Sequence, residues 1–243
     1  MFVLELGVNH LGNKGLLDKL INSYLKSTFD MATIMIHNSK YYIDNPRHVL
    51  NKSAYKKIIN SSKKKKKKIG LAVCDVKTFK YLADLNFDFY KLLSIANIDE
   101  ELINLLKLKK KHIYISTGLS NLDRIKKSIN YFKNYNKITI LHTPMTHEAN
   151  KLNFQMINLL KKKFNKKVGY SNHCNKINTL YALSAYNPCK IFLYLKPYQK
   201  NIFPDNQHAF QIDSIENIKE NYIQCLHAHK YAKQINKTGI FAK

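Results

Sequence analysis

Residues 168–174 read VGYSNHC. A short apolar run of this kind looks like the end of a strand, yet it leads into Ser171, Asn172 and His173. These side chains can hydrogen-bond or bind a metal, where a plain turn would use Gly, Pro or Asp. A second unusual position is Glu5, a carboxylate set between Leu4 and Leu6 in a strand-like run. A carboxylate there points to a functional site, with a buried ion pair to a lysine as the alternative. Similar chemistry recurs at regular intervals: Asn9 and His10, His37 and Asn38, Cys74 and Asp75, Lys91 and Ser94, Ser116 and Thr117, His142 and Thr143.

Each of these groups follows an apolar run of four to six residues. The runs predict strands at 2–6, 31–36, 69–73, 89–93, 113–116, 138–142, 167–170 and 191–195. Helical spacing separates them at 16–24, 48–59, 76–85, 98–109, 122–132, 152–164 and 177–185, and a last helix is predicted from 214 to about 233. Asp75 and Asp99 sit where helix N-caps belong. Eight strands each followed by a helix predict an α/β fold, a single-domain (β/α)₈ TIM barrel with a C-terminal helical extension. A doubly wound open sheet is the alternative, but it gives no reason to stop at eight. In a barrel, chemistry collects at the C-terminal ends of the strands, which is where these polar groups fall. Some of the Ser and Asn residues have the competing role of helix N-caps.

Composition narrows the function classes. The chain has 243 residues, 45% hydrophobic, enough for one sizeable core. Neither a basic leader followed by a long apolar run nor an uninterrupted spanning segment is evident, so a cytoplasmic protein without a membrane partner is expected. Cys74, Cys174, Cys189 and Cys225 are scattered without a C-x-x-C pair, which indicates neither a zinc knuckle nor a disulfide framework. The formal net charge of +25 invites a polyanion or RNA reading. Against it, Arg47 and Arg124 are the only arginines, and the aromatic residues fall mostly within predicted strands and helices. Abundant Lys, Asn and Ile are also what an AT-biased coding sequence produces, so nucleic acid is not the expected partner. The lysine run at 63–68 reads as a solvated loop before a strand.

Four segments taken in order resemble a family. ELGVNHLGNKGLLDKLI at 5–21, YKLLSIANIDEELI at 90–103, ISTGLSNLDRI at 115–125 and VGYSNHC at 168–174 are similar to successive motifs of the sialic acid synthases, the N-acetylneuraminate synthase family. The resemblance covers roughly residues 2–221. It implies a (β/α)₈ barrel in sialic acid biosynthesis, a transferase that condenses phosphoenolpyruvate with an amino-sugar aldehyde to give a nine-carbon keto acid and phosphate. By matching motif, Lys91, Ser94, Ser116 and Ser171 would hold the phosphate and carboxylate. Glu5 would manage protons or hold the acceptor, Asn9 and His10 would line the same wall, and Asn172 and His142 would face the substrate. His173 matches one of the family's two metal-binding histidines, implying a divalent cofactor, Mn²⁺ or Mg²⁺.

The chain departs from the family in several places. The second strand normally ends in Lys-Phe-Gln; here residues 33–35 read TIM. Leu195 occupies the place of the second metal histidine, so His142, His208 or a water-filled shell would have to make up the loss. Met145 and His147 stand where the family has an Asn and a Tyr for substrate, and Asn172 replaces an aspartate beside the metal histidine. The family's C-terminal antifreeze-like domain is not expected in this chain, which leaves a homodimer as an open expectation. Three functions therefore stand: a synthase relative, a catalytically silent barrel binding a small anion or sugar, and a polyanion binder working through surface lysines.

Overall fold

The structure is a computed structural model and describes residues 2–200 and 202–238, with side chains described up to 229. The eight expected strands are present, each within one or two residues of its predicted bounds. They are β1 Phe2–Glu5, β2 Met31–Met35, β3 Lys68–Val73, β4 Phe89–Leu92, β5 His112–Ser116, β6 Ile138–His142, β7 Val168–Ser171 and β8 Ile191–Lys196. Neighbours pair in parallel in sequence order, and β1 closes onto β8 with Phe2 opposite Ile191 and Glu5 opposite Tyr194. This is a closed (β/α)₈ barrel. A two-residue strand that the sequence reading missed, β9 Phe210–Gln211, adds in parallel beside the end of β8.

The helices are α1 Lys14–Lys26, α2 Ser39–Asp44, α3 Lys52–Lys64, α4 Val76–Leu82, α5 Glu100–Leu108, α6 Leu122–Tyr131, α7 Gln155–Phe164, α8 Ile177–Leu183 and α9 Ile215–Thr238. Six of them start on an Asn or Asp whose side chain accepts from the backbone N–H three residues on: Asn13, Asn38, Asn51, Asp75, Asp99 and Asn121. Such a cap stabilises by about 1 kcal/mol. The plentiful asparagine is thus structurally useful whatever its origin.

Three expectations need correcting. The helix predicted at 48–59 begins only at Lys52, because Asn51 caps there and Pro46 starts a separate 3₁₀ turn after the unpredicted α2. The helix predicted at 152–164 begins at Gln155, since Asn153 has φ +44° and cannot continue a right-handed helix. The lysine run is not one solvated loop. Lys63 and Lys64 end α3, and Lys67 turns inward to donate to the carbonyls of Tyr24, Ser27 and Phe29 at 3.1, 2.6 and 2.7 Å.

The main core lies between barrel and helices, with Leu20, Ile34, Leu71, Leu106, Ile140 and Leu193 fully buried in it. The last helix closes the bundle through Ile215, Ile218 and Tyr222, whose ring meets Phe2 edge-on at 5.1 Å. Inside the barrel a smaller apolar layer joins Val3, Phe89, Tyr114, Leu141 and Phe192. Strand side chains alternate faces, so the residue two positions further along each strand points into the barrel one layer higher. That rule positions the site.

Candidate active site

Two residues beyond the apolar layer stand Glu5, Lys91, Ser116, Thr143 and Tyr194, all buried. One inward layer thus changes from apolar to polar at the C-terminal end of the barrel. Glu5 and Lys91 meet at its centre. The Lys91 ammonium donates to both carboxylate oxygens of Glu5 at 2.7 Å and to Ser171 Oγ at 2.9 Å. The Ser171 hydroxyl donates to Glu5 at 3.2 Å, and the Thr33 hydroxyl approaches the other carboxylate oxygen at 3.4 Å. Phe192 and Tyr194 stack near the ammonium, at 5.0 and 5.5 Å from their ring centroids.

Above this pair opens a cavity of about 270 Å³, lined by Lys91, Ser94, Ser116, Thr143 and His173 from the strand ends, with Asp205 and His208 from the loop between β8 and β9. Ser116 donates to Thr143 at 2.9 Å. His37 and Tyr41 stack at 4.1 Å along another edge. Burial, followed by Asp205 and Tyr42, pushes the Tyr41 hydroxyl up to about 12. Larger surface clefts lie between α1 and α3 and around Tyr81, but they hold none of the residues expected to do chemistry.

Lys91, Ser94, Ser116 and His173 therefore share one cavity, and Glu5 and Ser171 lie directly beneath it. The other expected residues do not line it. Asn9 donates to the Leu195 carbonyl at 2.6 Å and accepts from the Asp205 N–H at 3.2 Å, tying the loop after β1 to the loop after β8. His10 accepts from the Gly12 N–H through Nδ1. Burial and then His48 depress its pKa to about 4, which keeps the ring neutral. Asn172 donates to the Cys174 carbonyl at 2.6 Å, and His142 bonds the Leu152 carbonyl through Nε2 at 2.9 Å. All four are buried and bond backbone of the strand-end loops, outside the residues that line the cavity, while His10 Nε2 and Asn172 Oδ1 are left without a hydrogen bond.

Asp205 and Tyr194 were missed in the sequence. Tyr194 was legible as the position two beyond Phe192; Asp205 lies on an irregular loop where spacing carries no signal. The Asp205 carboxylate sits over Gly7, where an added Cβ would come within 2.3 Å of Oδ2, and Gly7 itself has φ +54°.

The fit for a divalent metal rests on unpartnered donors. His173 Nδ1, both ring nitrogens of His208 and Asp205 Oδ2 are buried without a hydrogen bond. Burial, then His208 and Lys91, hold the His173 pKa well below the usual imidazole value, so the ring is neutral and has one nitrogen lone pair to offer. The His173 and His208 rings lie 4.7 Å apart, and His208 Nε2 is 3.5 Å from Asp205 Oδ1. Among the described residues no three His, Cys, Asp or Glu side chains form a ready-made metal cage. This donor set suits a cation held by two imidazoles with water and substrate oxygens completing its shell, not a closed protein site.

Comparisons with known proteins bear on the family and the fold. The sequence is 28% identical over 224 residues to the N,N'-diacetyllegionaminic acid synthase of Campylobacter jejuni, covering 79% of this chain and 66% of that protein. The chain thus spans just under two thirds of this curated relative. Among solved structures, the N-acetylneuraminic acid synthetase of Leptospira borgpetersenii in complex with citrate superposes with a TM-score of 0.86 at 16% identity, covering 93% of this chain and 84% of that one. The spore coat polysaccharide biosynthesis protein of Bacillus subtilis gives 0.82 at 14% identity, covering 100% and 70%. These structural likenesses carry the fold. A family model described as the NeuB family matches residues 18–234, most of the sequence, and the chain belongs to that family.

Proposed function

We propose that this NeuB-family barrel is a sugar-acid synthase that condenses phosphoenolpyruvate with an amino-sugar aldehyde. The observation that supports it most directly is the stacking of Glu5, Lys91 and Ser171 immediately beneath a cavity also lined by Ser94, Ser116 and His173. In this reading Lys91, with Ser94 and Ser116, turns toward the phosphate and carboxylate of the donor and fixes its orientation. Moving the ammonium away from Glu5 would leave that carboxylate to hold an acceptor hydroxyl or take a proton. The new carbon–carbon bond joins the donor's methylene carbon to the aldehyde carbon, water adds at the donor's C2, and phosphate departs. His173 and His208, with Asp205 alongside, would hold a divalent cation, which when bound polarises the acceptor carbonyl.

A second reading is favoured by the same pair. Glu5 already occupies the Lys91 ammonium through both of its oxygens, so an incoming anion has to compete with a buried carboxylate. A barrel that binds a small anion or sugar without turnover would tolerate that arrangement. Phosphate release from phosphoenolpyruvate, assayed with a panel of amino-sugar aldehydes with and without Mn²⁺, separates the two readings. Acceptor-dependent release supports the synthase. Retained ligand binding with no release from any acceptor overturns it in favour of the silent barrel.

A further inference from the structure

At the pole of the barrel opposite the cavity, helices α5 to α8 end and strands β5 to β8 begin. The four turns there, residues 107–112, 132–138, 161–167 and 187–191, contain twelve lysines and no aspartate or glutamate. The four strands are neighbours in the sheet, so the turns form one continuous crescent. Lys133, Lys162, Lys163 and Lys167 are exposed. Burial first, and then Lys167, Lys190 and Lys137, hold the His112 imidazole below its ordinary pKa, which reflects lysines from three separate turns converging on the barrel floor. On the side toward β4 the crescent ends at the turn carrying Asp84 and Asp88.

Helix C-termini attract cations, and Lys107, Lys109, Lys137 and Lys161 donate to backbone carbonyls at or beside them, but the effect is too small to account for the whole patch. Each terminus carries roughly half a negative charge, so four of them offset about two of the lysines. The surplus leaves a positive field that draws polyanions.

We propose that this pole docks on an anionic lipid surface. Three observations favour a bilayer over a nucleic acid. Neither arginine lies here: Arg124 is bound at the opposite end to Asn97 and Ile95, and Arg47 sits in the turn after α2. The pole therefore lacks the planar fork that reads phosphate and guanine. Its nearby rings are committed to the fold rather than free to stack on bases, Tyr135 bonding the Lys111 carbonyl and His112 bonding Thr139. Leu108, 74% exposed among Lys107, Lys109 and Lys110, is an apolar contact suited to the headgroup boundary. No described helix is long and apolar enough to cross a membrane, and docking of this kind requires none.

The test is co-sedimentation of the full chain with phosphatidylcholine vesicles, with and without about a third phosphatidylglycerol. Each lysine near an anionic surface strengthens partitioning roughly fivefold. Combining Lys133→Glu, Lys162→Glu, Lys163→Glu and Lys167→Glu should weaken sedimentation at least a hundredfold. The equally charged combination Lys40→Glu, Lys126→Glu, Lys176→Glu and Lys200→Glu, away from the pole, should preserve most of it. Lysine acetylation of the unmodified protein with and without vesicles gives a reading independent of any variant, with protection expected in the four turns. Three results would each overturn the proposal: no sedimentation on anionic vesicles, equal loss in both variants, or pole-dependent binding of duplex RNA without vesicle binding.

Discussion

Lys91 and Glu5, 86 residues apart in sequence, form a buried ion pair in which one ammonium bridges both carboxylate oxygens at 2.7 Å. Removing one partner leaves an uncompensated charge in the barrel, a loss of roughly 3–5 kcal/mol. Urea denaturation of Lys91→Met is expected to show that loss, whereas Lys91→Met combined with Glu5→Leu should recover most of it. A single variant as stable as the parent would mean that the two charges are not held together in solution.

Acid should destabilise the protein through His10. Its folded pKa is about 4, against an ordinary value of 6.5, because burial and then His48 disfavour the charged ring. The unfolded chain therefore binds the extra proton between pH 6.5 and 4, and stability falls as pH drops through that window. The loss approaches roughly 3 kcal/mol at its lower end. Thermal unfolding of His10→Asn, whose side-chain oxygen can still accept from Gly12, should depend less steeply on pH than that of the parent. Parallel pH profiles would remove His10 as the cause.

Lysines of the 63–68 run should not be equivalent. Lys67 satisfies three carbonyls near the end of α1, while Lys65 is exposed. Lys67→Met is expected to cost about 1–3 kcal/mol in chemical denaturation and Lys65→Met almost nothing. Similar values for the two would contradict the inward course of Lys67.

Manganese binding tests the paired imidazoles without any turnover. Titrating Mn²⁺ and following the electron paramagnetic resonance of the free ion should reveal one site, weakened at least tenfold by His173→Ala or His208→Ala. Undiminished binding in both variants would place the ion elsewhere.

Gly7→Ala should disturb the cavity itself. The added methyl would meet Asp205 Oδ2 at 2.3 Å on a backbone with φ +54°. A cost of about 1–3 kcal/mol is expected, together with weaker binding of any ligand that touches Asp205. Unchanged thermal stability and ligand affinity would show that the loop after β8 moves freely aside.

The sequence by itself determined the barrel, because eight short apolar runs alternating with amphipathic stretches leave few other ways to bury a core. It also placed Glu5, Lys91, Ser116 and His173 at strand ends, since strand periodicity and chain direction are local properties. Which of the polar residues face one another was decided only by closure. Pairing β1 with β8 brings Glu5 opposite Tyr194, and the inward layer then joins Glu5 to Lys91. The same closure ties Asn9 to the Leu195 carbonyl, 186 residues away, whereas His10, Asn172 and His142 bond backbone of their own strand-end loops. Asp205 and the gathering of lysines at the far pole likewise emerge only in three dimensions. An irregular loop carries no period, and a charge distributed over four separate turns becomes a surface only when neighbouring strands bring those turns side by side.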